Sequence, residues 1–363
     1  MNRTIKIDEY QKKAVFAKDR NMLICACPGS GKTQVIVNRV NHLVSDLKVK
    51  EGNIIILTFT KAAAVNMKNR YLKLFNKNTS PFFGTFHGLF YKMLIKEGLK
   101  INIIEGYVAH GIIEGVLKNY FDEINEDKIK EIINEISLFN TSRCSLDSYQ
   151  CNVSKEIFTN CYNAYSNYKL KNNLLDFDDL SIKAIELLNN KHYLEGYRNL
   201  FKYILVDEFQ DCDDLQIEFL KIINKGKENS LFAVGDEDQC IYSFRGSKPE
   251  YMVTFNEIFR KGKKYYLSRN YRSNKNIVEC SKDVIGFNKE RNEKEIVASK
   301  KEKGIIKFST PFDEKIQGEE IVNTIRNLVE KEGYNYHDNM ILYRTNMESM
   351  SIVDTFIRLN IPF

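Results

Sequence analysis

The stretch Met22-Leu23-Ile24-Cys25-Ala26-Cys27-Pro28-Gly29-Ser30-Gly31-Lys32-Thr33-Gln34 decides the architecture. A short apolar run leads into a turn of small residues, and an amphipathic stretch follows from Gln34: strand, loop, helix. Glycines at 29 and 31 let the backbone pass close to phosphate groups, so that main-chain N–H donors and the helix N-terminus form a cradle. Lys32 adds a point charge and Thr33 offers a hydroxyl to Mg²⁺. Ala26, Pro28, Gly29, Ser30, Gly31, Lys32, Thr33 and Gln34 are therefore the candidate nucleotide contacts, although the strict pattern carries Gly where this chain has Ala26.

Such a loop needs a carboxylate partner at the end of another apolar strand of the same sheet. Tyr203-Ile204-Leu205-Val206-Asp207-Glu208 has that form. Asp207 is expected to hold Mg²⁺ through water, and Glu208 to orient and deprotonate an attacking water. Adjacent acids after a strand also serve simply as helix caps; here Asp207-Glu208-Phe209-Gln210-Asp211 follows a phosphate loop at a plausible distance, which favours the chemical role. A P-loop kinase or GTPase would share these two motifs.

At 363 residues the chain exceeds the usual size of one domain. Segments 21–26, 32–47 and 53–59 alternate as strand, helix and strand, and the texture returns at 203–206 and 231–234, which predicts an α/β fold with a parallel sheet and helices on both faces. Between these regions apolar residues recur at helical spacing. The expected organisation is a first, nucleotide-binding α/β domain over 1–95 plus 176–262, a helical insertion over 96–175, and a partial second α/β domain over 263–363. In the last, helices are expected near 276–287, 316–331 and 350–359, and strands near 304–308 and 340–343.

The net charge of +6, from 54 Lys and Arg against 48 Asp and Glu, suits a polyanionic partner but is mild over this length. Eight cysteines lack the paired spacing that holds zinc or iron–sulfur clusters and are expected to be reduced thiols. The first residues, Met1-Asn2-Arg3-Thr4-Ile5-Lys6, lack a signal-peptide core and no stretch is long enough to span a bilayer, so a cytoplasmic protein without membrane partners is expected.

Further segments occur in the order found in superfamily 1 DNA helicases, and the chain resembles the UvrD/Rep/PcrA family over essentially its whole length. Tyr10-Gln11 resembles the adenine-reading segment, with Gln11 expected on the base edge. Phe59-Thr60-Lys61-Ala62-Ala63-Ala64-Val65-Asn66-Met67 and Gly84-Thr85-Phe86-His87 resemble DNA-contacting motifs, and Leu175-Asp176-Phe177-Asp178-Asp179-Leu180 resembles the return from the insertion. Gly235-Asp236-Glu237-Asp238-Gln239-Cys240-Ile241-Tyr242-Ser243-Phe244-Arg245-Gly246 is the most diagnostic stretch. In it the resemblance makes Gln239 the γ-phosphate sensor, Phe244 a base-stacking platform, and Tyr242 and Arg245 neighbours of the strand.

Asn270-Tyr271-Arg272-Ser273 resembles the junction motif, with Tyr271 stacking on adenine and Arg272 reaching the γ-phosphate as a finger. Ile341-Leu342-Tyr343-Arg344-Thr345-Asn346 resembles the start of the second motor domain. The resemblance thus implies two RecA-like domains, ATP and Mg²⁺ as cofactors, single-stranded DNA and duplex junctions as partners, and 3′-to-5′ unwinding in repair or recombination. Its catalytic residues would be Glu208, Lys32, Gln239 and Arg272; Thr33 and Asp207 would ligate Mg²⁺; Phe59, Thr60, Thr85, Phe86, His87, Tyr242, Phe244 and Arg245 would touch DNA.

In the family the chain continues through a second helical insertion and a segment with a Gly-Leu-Glu core, and no such tripeptide follows residue 273 here. An arginine finger contributes on the order of 10³-fold or more to turnover. The expectation is a chain that binds ATP and single-stranded DNA, hydrolyses slowly and unwinds weakly unless a second polypeptide completes it. The alternative is a non-catalytic ATP- and DNA-binding module. Cys212 and Cys240 stand where the family more often has a hydroxyl residue, and Cys240, beside Gln239, is expected to make activity sensitive to thiol oxidation.

Overall fold

A computed structural model describes residues 7–345 and 347–363; Met1–Lys6 and Asn346, both part of segments read above, lie outside the described residues. The chain divides into two compact units, Met1–Gly304 and Ile305–Phe363.

Six parallel strands form the sheet of the first unit: β1 Asn21–Ala26, β2 Ile54–Leu57, β3 Phe82–Gly84, β4 Tyr203–Val206, β5 Ser230–Gly235 and β6 Gly262–Leu267, in the order β3-β2-β4-β5-β1-β6. All six residues of β1 are buried, as a central parallel strand covered on both faces requires. Alternate side chains feed two cores. Met22, Ile24 and Ala26 join Val35, Val40, Ile54, Ile56, Leu205 and Val234 on one face, against the helix Lys32–Asn41. Leu23, Cys25, Ile55, Leu57, Ile204 and Val206 point to the other, against the helices Phe86–Lys96, Phe177–Leu187 and Asp214–Asn224. Each fully buried Leu, Ile or Val contributes about 1.5–3 kcal/mol relative to exposure, so the sheet is a rigid platform for the loops at its carboxyl edge.

β6 corrects the sequence reading, which placed a domain boundary between 262 and 263. Its residues pair with β1 in register from Asn21–Gly262 to Ala26–Leu267, so this segment closes the first sheet. The run Lys263-Lys264-Tyr265-Tyr266 is only half-buried, and that mixed character concealed an edge strand. A short second sheet, β7 Arg269–Asn270 with β8 Val297–Ala298, follows it.

The insertion consists of the helices Gly106–Leu117, Glu126–Ser142 and Lys155–Asn172 around their own core of Ile113, Leu117, Ile132, Ile136, Phe158 and Cys161. It leaves and rejoins the sheet domain through a pinched neck, where Ile104 N–H donates to Leu175 O at 2.9 Å and Leu175 N–H to Asn102 O at 2.8 Å. Asp176 caps the next helix, Phe177–Leu187, through a capping box with Asp179. Both carboxylates hold the buried Lys169 ammonium, tying the last insertion helix to the sheet domain.

The second unit is built on the helices Glu314–Glu332 and Glu348–Arg358, which share a core of Val322, Ile325, Phe356 and Ile361. The strands expected near 304–308 and 340–343 do not form; Ile305, Phe308, Met340 and Leu342 are exposed. A strand exists only by pairing, and among the described residues of this unit these segments have no ladder partner. No helix among the described residues is long and apolar enough to cross a membrane.

Candidate functional site

Six motifs of the first unit fall at the carboxyl ends of strands of its sheet, the edge at which open parallel α/β sheets bind ligands. The phosphate loop follows β1, Phe59 follows β2, Thr85 follows β3, Asp207 follows β4, Asp236 follows β5, and Asn270-Tyr271-Arg272 lies just beyond β6.

In the loop, Gly29 and Gly31 have φ of +68° and +86°, values that L side chains rarely adopt. A β-carbon on Gly29 would lie 2.7 Å from Arg272 Cβ and 2.8 Å from Asn270 Oδ1, and one on Gly31 would lie 2.9 Å from Gln11 Nε2. Tyr271 N–H donates to Gly29 O at 3.0 Å, while Asn270 Oδ1 accepts from the N–H groups of Arg272 and Ser273. The junction motif is thereby seated directly on the loop. Gln11 braces the loop from the other side: its side chain donates to Ser30 O at 2.9 Å and closes a capping box with Asp8. Asp8 also accepts from the Tyr271 hydroxyl. Ser30 Oγ donates to Cys27 O, Ala26 is fully buried, and the Gln34 amide oxygen accepts from Arg70 at 2.7 Å.

Lys32 Nζ lies 2.5 Å from Glu208 Oε2, joining the loop to the acidic pair across the sheet. Glu208 has φ +51°, a left-handed conformation that swings its side chain away from the direction of β4, and Gln210 Nε2 donates to the same carboxylate oxygen at 2.9 Å. Burial, followed by the negative charge of Glu208, pushes the Asp207 carboxyl up to about 7, and the same two causes push Asp211 up to about 6. Asp207 Oδ1 is buried without a hydrogen-bond partner. A buried carboxylate oxygen left open beside a lysine and a glycine-shaped cradle fits a phosphate-bound divalent cation. Gln239 donates to Asp236 Oδ2 at the end of β5, and Arg272 is exposed.

The expected DNA contacts divide into two groups. Phe59 stacks on Tyr242, with centroids 4.7 Å apart and planes at 28°, and Arg245 lies 5.6 Å above the rings of both Tyr242 and Phe244. Phe59 and Phe244 remain 37% and 49% exposed, leaving ring surface for another π-system. Thr60 and Thr85 each cap the helix that follows, accepting from Ala63 N–H and Gly88 N–H. Phe86 is 5% exposed and packs in the core with Phe90 and Phe219, while it also lines the cleft shared by Phe59 and Thr85. The first position of an amphipathic helix faced the sheet, which a motif alone does not reveal. Burial lowers the His87 imidazole pKa, and its ring lies 5.1 Å from Phe177.

One cleft of about 310 Å³ is lined by Asp207 and Glu208 together with Phe59, Thr60, Thr85, His87 and Arg245. The acidic pair and the aromatic platform therefore open into the same space. Burial raises the pKa of the partly buried Cys240 thiol, whose sulfur lies 3.7 Å from Ser243 Oγ, which suppresses the reactive thiolate. The residues that sequence reasoning missed are Arg291, Asn292 and Lys294, which bind Asp236, Glu237 and Asp238; more than fifty positions separate the partners, and no local pattern announces the pairing.

This sheet, with its glycine loop and strand-end carboxylates, defines a P-loop NTPase fold of the RecA-like kind carrying a helical insertion. Residues 7–260 match the UvrD/REP helicase N-terminal domain and residues 265–363 the UvrD-like helicase C-terminal domain; the chain belongs to this helicase family. It is 35% identical over 98% of its length to a probable DNA helicase II homolog of Mycoplasma capricolum, covering 51% of that protein. It is also similar to the ATP-dependent DNA helicases PcrA of Staphylococcus epidermidis, at 31% identity over the full chain and 51% of the relative, and of Staphylococcus aureus, at 30% over 97% of the chain and 50% of the relative. The chain thus spans about half the length of the curated relatives it matches.

Proposed function

We propose that this chain is the ATP-binding part of a DNA helicase that couples ATP hydrolysis to movement along single-stranded DNA, with 3′-to-5′ unwinding at duplex junctions in repair or recombination. The observation that supports it best is the shared cleft, in which Asp207 and Glu208 face the same space as Phe59 and Arg245. A second support is the single segment after β5, which carries both Gln239, bonded to Asp236, and Phe244 and Arg245 of the aromatic platform.

The chemistry follows from the residues. Lys32, the loop N–H groups and the helix N-terminus of Lys32–Asn41 take up the triphosphate, while Gln11 and Tyr271 hold the adenine end. Thr33 and Asp207 would hold Mg²⁺, which would supply charge neutralisation at the phosphate oxygens. Phosphate binding at Lys32 exchanges the Glu208 carboxylate for phosphate oxygens, and Glu208 is released to act on water. The water oxygen then bonds to the γ-phosphorus as the bond to the β–γ bridging oxygen breaks; the water proton passes to Glu208, and ADP and phosphate leave. Arg272 stabilises the charge that develops on the transferred group, and Gln239 reports its presence to the segment bearing Phe244. Single-stranded DNA is held through phosphate contacts and base stacking, without sequence preference.

ATP turnover with and without single-stranded DNA, in the chain and in Lys32→Ala and Glu208→Gln, tests this reading. DNA-stimulated turnover abolished by both substitutions is the expected result. Binding of ATP and DNA without turnover would assign the chain the role of a binding module served by a second polypeptide. Failure to bind either ligand would overturn the proposal.

A further inference from the structure

Three consecutive acids, Asp236, Glu237 and Asp238, follow β5 and precede Gln239, and their side chains are only 0%, 1% and 7% exposed. Repulsion among carboxylates so placed in a low-dielectric interior demands a counter-charge. The Lys294 ammonium, 2% exposed, supplies it: it pairs with Asp236 and lies 2.9 Å from Asp238 and 3.3 Å from Glu237. Arg291 pairs with Asp238, and Asn292 N–H donates to Glu237 Oε1 at 3.0 Å. Burial acts to lower the Lys294 pKa, but Asp236 and Glu237 outweigh it and hold the ammonium charged, above the usual lysine range.

Asp236 is shared. Its Oδ1 takes Lys294, and its Oδ2 accepts from Gln239 Nε2. Lys294 is itself fixed from several directions. Lys264 on β6 donates to Asn292 Oδ1 at 2.6 Å, Ile296 packs with the loop residue Cys27, and Val297–Ala298 pairs with the Arg269–Asn270 strand that leads into Tyr271 and Arg272. The carboxylate that orients Gln239 is thus held by a segment anchored to both the phosphate loop and the junction motif.

We propose that Lys294 is a positioning residue that sets Gln239 through Asp236, and so governs how the site distinguishes a nucleoside triphosphate from a diphosphate. The inference rests on the reading of Gln239 as the γ-phosphate sensor. Without Lys294, the Asp236 Oδ1 is held only by the long bond from Asp238 N–H at 3.3 Å, and the carboxylate that aims Gln239 is no longer fixed; the site keeps the loop and Lys32, which suffice for a diphosphate.

The test compares dissociation constants for ADP and for the non-hydrolysable triphosphate AMP-PNP, each with Mg²⁺, in the full chain and in Lys294→Met, Lys294→Arg, Gln239→Ala and the Lys294→Met/Gln239→Ala double variant. Lys294→Met should keep the wild-type ADP affinity and lose about tenfold in preference for the triphosphate, the weight of one charge-assisted hydrogen bond. That loss should match Gln239→Ala, the double variant should lose no more, and Lys294→Arg should recover part of it. Wild-type preference in Lys294→Met, or losses that multiply in the double variant, would overturn the inference. If Lys294→Met fails to fold, Asp236→Asn carries the test, and an unchanged preference there would overturn it equally. A wild-type chain that binds both nucleotides equally would remove the role of Gln239, and this inference with it. One that binds neither would overturn the proposed function itself.

Discussion

Replacing Gly29 by alanine places a methyl group 2.7 Å from Arg272 Cβ and 2.8 Å from Asn270 Oδ1, at a residue whose φ is +68°. Adopting a left-handed conformation costs alanine about 1–2 kcal/mol. Real Cβ contacts are not this short, and the nearest atoms belong to the start of a side chain and to an amide that holds two backbone N–H groups, so the junction motif must move as a unit. That displacement costs about 1–3 kcal/mol by analogy with overpacked cores, and loss of the Tyr271 N–H bond to Gly29 O adds about 1 kcal/mol. The ligand-free chain should therefore lose about 3–6 kcal/mol in urea denaturation, and ATP affinity should fall because Arg272 and Tyr271 leave the loop. Gly52→Ala, with no atom within 4 Å of the new carbon, is the control and should change stability little. Equal denaturation midpoints and equal ATP affinities for the two variants would refute the idea that the loop and junction motif interlock.

Asp207 provides a pH test. Its carboxyl is raised to about 7 in the folded chain, so its contribution favours folding fully below the unfolded value near 4 and is lost as pH rises through about 7. Asp207→Asn should match the ligand-free wild type near pH 4 and be the more stable at pH 8, by at most ~4 kcal/mol; identical pH profiles would contradict the assignment. Phe244→Ala should weaken single-stranded DNA binding by about 1–3 kcal/mol, and Phe59→Ala by a comparable amount, measured by anisotropy with unlabelled strands of varied sequence. Affinity should also fall as salt rises; unchanged binding in both variants would remove the aromatic platform from the DNA path. Cys144 and Cys280 are exposed whereas Cys240 is partly buried with a raised pKa, so a maleimide at pH 7 should label the first two well before Cys240. Rapid labelling of Cys240 with parallel loss of ATPase rate would restore the thiol-sensitivity expectation.

Much of the first unit was legible in the sequence because its signals are local. The apolar run at Met22–Cys25, the glycines that follow and the amphipathic stretch beyond them encode strand, turn and helix through steric preference and periodicity alone. The pair Asp207-Glu208 was legible for the same reason, and the helices at 106–172 announced themselves by spacing. What tertiary structure decided is pairing across distance. The sequence does not say that Lys32 meets Glu208, 176 positions away, that Lys294 neutralises the acids before Gln239, that Gly262–Leu267 joins the first sheet, or that Phe86 faces the core. Nor does an apolar run at 304–308 or 340–343 make a strand without a neighbour to complete its backbone hydrogen bonds. Periodicity is a property of one segment, whereas a salt bridge, a sheet edge and a buried face belong to two segments at once, and their identity exists only once the chain has folded.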